Sequence, residues 1–357
     1  MTYDSAAIQS RLIRDLEPAV EVELNRHLSV QKNWYPHEYV PWSEGRDFAG
    51  PLNGDAWEAK DSRLTPVAQD SLILNLLTED NLPSYHTEIS ISMGRDGAWG
   101  NWIERWTAEE ARHSIVIRDY LMATRGVDPI ELEDLRMAHM SVGYQTPYED
   151  DMLHTVTYVT FQELATRISH RNTGRISDDP ICESMLTRVA MDENLHMLFY
   201  RNLIGAAIEL EPDAVIEAIS DVVVNFAMPG YGIPGFGRKS VQIALAGIYD
   251  LDLHLEEVVQ PVLRAWGVMD LTGLSAAGEA NREKLAAFMA QTKIDADFVA
   301  EKSIRNKHLT DTERGTGINH TMERHRGVDC RSAWSCMVMA QASFASVSGL
   351  AALNASN

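Results

Sequence analysis

The chain has 357 residues, 45% hydrophobic and 23% charged, a balance that fits a folded globular protein and excludes disorder throughout. Its formal net charge of -21 argues against nucleic acid, whose phosphates would be repelled, and limits any acidic partner to a local basic patch. Three cysteines, Cys182, Cys330 and Cys336, are too few and too unevenly spaced for a disulfide framework or a thiolate zinc site, so a reducing, cytoplasmic setting is expected.

The opening segment MTYDSAAIQSRLIRDLEP has no apolar run of signal-peptide length and reads as helix. Ile8, Leu12, Leu16, Val20 and Leu24 recur at helical spacing, which predicts a helix over about 6–30, kinked or split at Pro18. A loop follows, QKNWYPHEYVPWSEGRDFAGPLNGD, punctuated by proline and glycine. Helical patterns then cover roughly 64–93, 98–125, 129–140, 148–172, 178–208, 211–226, 238–266 and 276–307. No set of strands is visible, so the fold class is all-α, with helices long enough for a bundle. Beyond Arg314 the chain changes to GTGINHTMERHRGVDC and then a Ser/Ala-rich stretch. Residues 1–310 therefore read as a single helical domain and 311–357 as a tail, weakly ordered or packed on the surface. Ala333 to Leu350 is apolar but interrupted by Ser335, Gln341, Ser343, Ser346 and Ser348, so no membrane span is expected.

One internal echo carries chemistry. Glu-x-x-His occurs twice, as Glu110-Ala-Arg-His113 and Glu193-Asn-Leu-His196, and the motif alone is weak. Its context is stronger, because Glu79 precedes Glu110 by 31 residues and Glu163 precedes Glu193 by 30. Each offset suits two antiparallel helices, one offering a carboxylate and the next a carboxylate–imidazole pair. That is the inward-facing ligand pattern of di-iron and di-manganese bundles. Residues three apart share a helix face, and these faces also carry Ile103, Trp106, Ile117, Val189 and Met197. Four carboxylates facing two divalent ions would balance to zero charge. Oxygen and nitrogen donors without thiolate suit iron or manganese.

Plainer readings stay open at this point. Thr107-Ala-Glu-Glu110 also matches a capping box, Glu193 with His196 could be an exposed pair, and Glu79 alone could be solvated. Pro83 deprives the Glu79 carbonyl of its helical partner, so either a kink or a new helix start falls beside the first candidate ligand.

The segments TEDNLPSYHTE, WTAEEARHS, FQELATRISHRNTG and DENLHMLFYRN resemble the soluble acyl-carrier-protein desaturases, especially their actinobacterial branch. The likeness extends over about 6–310 and includes HLSVQKNWYPHEYVPW and FAMPGYGIPGFGRKSV. It implies a ferritin-like di-iron four-helix bundle with additional packed helices, forming a homodimer. Glu110 and Glu193 would bridge two Fe ions, Glu79 and Glu163 would each chelate one, and His113 and His196 would each ligate one. Thr166 would place a hydroxyl beside the oxygen site, Asp192 would hold His113, and Trp34 would extend that chain outward as an electron path. The implied reaction is oxygen-dependent desaturation of an acyl chain on acyl carrier protein, with a ferredoxin-type electron donor. A different di-iron oxidase or hydroxylase, or a non-catalytic iron-binding protein, is the alternative. His86 and Glu88 depart from the apolar or small residues that line the channel in plant members. Lys32, Arg201, Arg238 and Lys239 are candidates for a basic docking patch on this acidic chain.

Overall fold

The computed structural model describes residues 5–315 apart from 145, 147, 149 and 150. Among these residues the only strand pairing is one isolated bridge between Phe48 and Asp55. Helix α1 (Ser5–Val30) runs through Pro18 without a break. After the expected loop, α2 (Pro66–Asp80) starts on Thr65, whose hydroxyl accepts from the Ala68 N–H, with Pro66 at the first helical position. Then come α3 (Leu82–Met93), α4 (Gly97–Ala123), α5 (Pro129–Val142), α6 (Met152–Ile176), α7 (Pro180–Leu210) and α8 (Pro212–Val224). The remaining helices are α9 (Phe236–Leu245), α10 (Leu251–Leu253), α11 (Gln260–Trp266) and α12 (Ala276–Gly315).

Two expected helices are broken. The 64–93 pattern is two helices, because Pro83 has no N–H to offer the Glu79 carbonyl and the Asn81 N–H takes that place. Asn81 is buried, and its side-chain oxygen accepts from the Ser84 hydroxyl at 3.0 Å, which fixes the break. The 238–266 pattern also divides. Gly247 adopts φ +72°, outside the helical region, and Asp250 then caps a new start by accepting from the Leu253 N–H at 2.8 Å. A π turn at His254–Val259 precedes Pro261, whose missing N–H interrupts ordinary helical bonding there. At the other end, α12 continues past the expected stop at 307. The rest of the tail, with Cys330, Cys336 and the 333–350 stretch, lies outside the described residues. No helix among the described residues is long and apolar enough to cross a membrane.

Helices α2, α4, α7 and α6 pack as a closed ring, each against the next, and α3 prolongs the α2 side against α4 and α6. Helix α1 covers α4 and α7, while α8 and α12 cover the α6 side. The α6–α7 pair is a tight hairpin. Its short connection ends on Asp179, whose carboxylate accepts the Ile181 N–H at 2.9 Å. At Gly174 a Cβ would come within 3.1 Å of the Glu183 Cα, so glycine permits this close approach.

The apolar core is divided. One cluster holds Trp102 and Trp106 of α4 with Met197 to Ile208 of α7; the other holds Val116 to Ala123 of α4 with Cys182 to Val189 of α7. On both helices the switch between clusters falls at the Glu-x-x-His segment. The echo thus marks a polar layer between two hydrophobic masses.

His154 ties the start of α6 to α8. Its Nδ1 lies 2.9 Å from the Asp151 carboxylate and its Nε2 lies 3.8 Å from that of Asp221. Burial lowers the imidazolium, but these two carboxylates outweigh it and raise the group from 6.5 to about 9. A raised folded-state value gives stabilisation that is complete below 6.5 and lost as pH rises through about 9. In metal-free protein, wild type should exceed His154→Gln in stability by about 1–3 kcal/mol near pH 6 or below, the gap shrinking as pH rises from 6.5 to about 9. Thermal midpoints of both proteins across that range check this; a gap that does not change with pH contradicts it.

Candidate metal centre

All six residues of the echo are buried and converge within the helical ring. Glu79 ends α2, Glu110 and His113 lie on α4, Glu163 on α6, and Glu193 and His196 on α7. They form two overlapping groups, Glu79–Glu110–His113–Glu193 and Glu110–Glu163–Glu193–His196, each with donor atoms within 4.8 Å of one another. Glu110 and Glu193 belong to both groups. In the first, His113 Nδ1 lies 3.2 Å from Glu110 Oε2, 3.4 Å from Glu193 Oε1 and 3.7 Å from Glu79 Oε2. In the second, His196 Nδ1 lies 2.6 Å from Glu110 Oε1 and 3.6 Å from Glu163 Oε2. Because α4 begins at Gly97, Glu110 is far inside its helix, which removes the capping-box reading. Burial likewise removes the surface readings of Glu193, His196 and Glu79.

The donor set fits cations. Glu110 Oε1, Glu163 Oε2, Glu193 Oε1 and His196 Nδ1 are buried without a hydrogen-bond partner, which is costly for acceptors facing one another. Burial, and then the charges of Glu110 and Glu193, push the Glu163 carboxyl well above its usual range. Burial lowers His113 and His196, yet the Glu110 charge and the other facing carboxylates lift both imidazoles well above their usual range. Positive charge is what this layer attracts. Two divalent cations would supply it while leaving the imidazoles neutral as ligands. The described cysteine is no rival donor, since burial pushes the Cys182 thiol up to about 12.

The outer nitrogens of the two imidazoles face acids in a crossed arrangement. Asp192, on α7, lies 3.6 Å from His113 Nε2 of α4; Glu109, on α4, lies 2.9 Å from His196 Nε2 of α7. Each acceptor directly precedes the glutamate shared by both groups in its own helix. Burial raises Asp192, but the His113 imidazole, with help from the Trp34 N–H, more than offsets this and holds it at about 2. Trp34 Nε1 donates to Asp192 Oδ2 at 2.7 Å, and the Trp34 ring stacks near His113 with centroids 6.5 Å apart. Arg112 and Arg188 both pair with Asp192 and lie over the Trp34 ring at 5.0 and 5.8 Å. Glu109 sits well below the usual carboxylate range, because imidazoles on both sides overcome its burial; the second is His27, at 2.9 Å.

Sequence reasoning missed Glu109, His27, Trp106 and His170. Trp106 Nε1 donates to Glu163 Oε1 at 2.9 Å, and His170 Nε2 lies 2.9 Å from Glu79 Oε1. Glu109 was legible in the echo itself, which reads acid–Glu-x-x-His in both halves. His170 falls seven residues after Glu163, on the same helical face. Trp106 falls four residues before Glu110 on the same face, whereas His27 carries no such signal. Of the other singled-out residues, Thr166 donates to Glu193 Oε2 at 3.1 Å. His86 turns to Thr107, 2.7 Å away. Lys239 is buried and paired with Asp70, so it is not a surface docking charge, and half-buried Arg201 donates to Asn202. Lys32 and Arg238 are exposed.

A narrow cavity reaches the cluster between α3 and α6, with room for the centre of a water molecule over ≈ 50 Å³. Glu79, Glu110 and Thr166 border its inner end, and Leu82, Ile89, Trp106 and Val159 supply apolar wall. If the crossed acceptors set ligand orientation, Asp192→Asn and Glu109→Gln should each weaken one of two bound metals about 10–100-fold. Competition titration with a chelator checks this; unchanged affinity at both positions contradicts it.

A sequence profile described as fatty acid desaturase matches residues 9–314. The chain is 44% identical over 314 residues to a Mycobacterium tuberculosis protein bearing the name acyl-(acyl-carrier-protein) desaturase DesA1, covering 86% of this chain and 92% of that one. It is 33% identical over 261 residues to DesA2 of the same organism, covering 73% and 94%. Stearoyl-(acyl-carrier-protein) 9-desaturase from chloroplasts of Gossypium hirsutum is 27% identical over 328 residues, covering 85% and 80%. The X-ray structure of DesA2 superposes with a TM-score of 0.62 at 30% identity, covering 77% of this chain and 99% of that one. With its ring of helices around a buried carboxylate–imidazole layer, the chain belongs to the fatty acid desaturase family.

Proposed function

We propose that the protein removes two hydrogens from neighbouring methylenes of an acyl chain carried on acyl carrier protein, at two iron ions held by Glu79, Glu110, His113, Glu163, Glu193 and His196. The observation that carries this reading is the convergence of all six at the inner end of a narrow, largely apolar cavity. Iron there would supply the oxidising power, drawn from dioxygen and external electrons.

The chain's own residues do the rest. Leu82, Ile89, Trp106 and Val159 give an aliphatic chain apolar contact and exclude water from the cluster. Thr166 puts a hydroxyl at the cavity's inner end, bonded to Glu193. Trp106 and His170 each hold one oxygen of Glu163 and Glu79, limiting how those carboxylates turn. Trp34, bonded to Asp192 and stacked near His113, supports an electron path from a ferredoxin-type donor. Homodimer formation and a cytoplasmic location complete the proposal.

Iron content and acyl products test it together. Wild type should hold two irons per chain and give a product lighter by two hydrogens; Glu110→Ala and Glu193→Ala should lose both. Two irons retained in both variants would refute the ligand assignment, and a product heavier by one oxygen would make the protein a hydroxylase. Trp34→Phe should keep the iron but lower reductant-driven turnover at least tenfold, about 1.4 kcal/mol in barrier. Unchanged turnover removes Trp34 from the electron path.

A further inference from the structure

The cavity wall is not uniformly apolar. It also holds Tyr85 of α3, Tyr144 of the loop after α5, Tyr158 of α6, and Glu88. The Tyr85 and Tyr144 rings meet edge to face at 5.0 Å, and Tyr144 lies 6.5 Å from Tyr158. Burial pushes all three phenols up, so each stays neutral and able to donate. Tyr158 spends its donor on the Ala227 carbonyl at 3.0 Å.

Tyr85 does not. Its phenolic oxygen is buried, and the Asn81 side chain beside it completes no hydrogen bond of normal geometry to it. Buried hydroxyls are normally satisfied, and leaving one bare against methylenes works against binding a plain hydrocarbon. Tyr85 lies six residues past Glu79, on α3 beyond the break at Asn81, and lines the same cavity. An acyl chain with its reacting carbons at the cluster would pass it.

Building on the function proposed above, we propose that Tyr85 recognises an oxygen substituent on the acyl chain, hydroxyl or keto, so the substrate is an oxygenated acyl chain rather than a plain saturated one. Tyr85 is then a specificity residue: it satisfies its hydroxyl on the substituent and discriminates against chains without one.

The test measures equilibrium binding of acyl carrier protein loaded with chains of one length, either plain or carrying a single hydroxyl or keto group at successive positions. Wild type should prefer one positional isomer over the plain chain about tenfold. Tyr85→Phe, which removes one hydroxyl that completes no normal hydrogen bond within the protein, should erase that preference while plain-chain affinity holds within about twofold. Equal affinity for every chain in wild type, as expected if Tyr85 bonds only to water, overturns the inference; so does a preference that survives Tyr85→Phe. Product analysis on the same panel separates the two levels. Dehydrogenation of plain chains without preference for oxygenated ones removes only this inference, whereas no binding and no dehydrogenation of any chain removes the proposed reaction as well.

Discussion

Everything in this structure depends on a layer of negative charge that the fold has taken out of water. Glu79, Glu110, Glu163 and Glu193 stand inside a ring of four helices, with His113 and His196 between them. Isolated buried carboxylates are among the most expensive features a core can hold, and unpaired oxygens remain even after the imidazoles are counted. The helices nevertheless keep these side chains facing one another. The two hydrophobic clusters above and below hold the backbone rigid enough to do so, with Trp102 stacked on Phe199 at 3.5 Å on one side and fully buried Tyr120 on the other. Stability is lent by the apolar masses, and the layer between them is kept for chemistry.

The two halves of the site support each other across the ring. The acid beside each shared glutamate serves the imidazole of the opposite helix, Asp192 for His113 and Glu109 for His196. The outward extensions then differ: Asp192 leads to Trp34 and two arginines, whereas Glu109 leads to His27. The repeat gives the carboxylate–imidazole frame, and what lies beyond it makes the two sides unequal.

The carboxylate–imidazole frame was legible in sequence because its members are charged, periodic and repeated at nearly the same interval. Asp192 holds the same place in the echo as Glu109, but it, Thr166 and Trp34 were singled out only through family resemblance; in the structure Thr166 bonds Glu193 and Trp34 bonds Asp192. The break at Asn81 could be read from Pro83, which forbids a bond to Glu79, but whether it meant a kink or a new start was set by burial of Asn81. The break after α9 was hidden: Ile243, Ile248 and Leu255 sustain an apolar pattern across it, and a single glycine at φ +72° decides otherwise. Lys239 shows the opposite failure, a lysine that looks like surface and is buried against Asp70. Tertiary partners, invisible in local pattern, decided each of these.

The most direct measurement of the central claim is anomalous scattering at the iron absorption edge from crystals grown with ferrous iron. The account predicts two peaks per chain, one beside Glu79 and His113 and one beside Glu163 and His196, both bordered by Glu110 and Glu193. No peak within the layer, or iron bound only at His27 and Glu109, would contradict it.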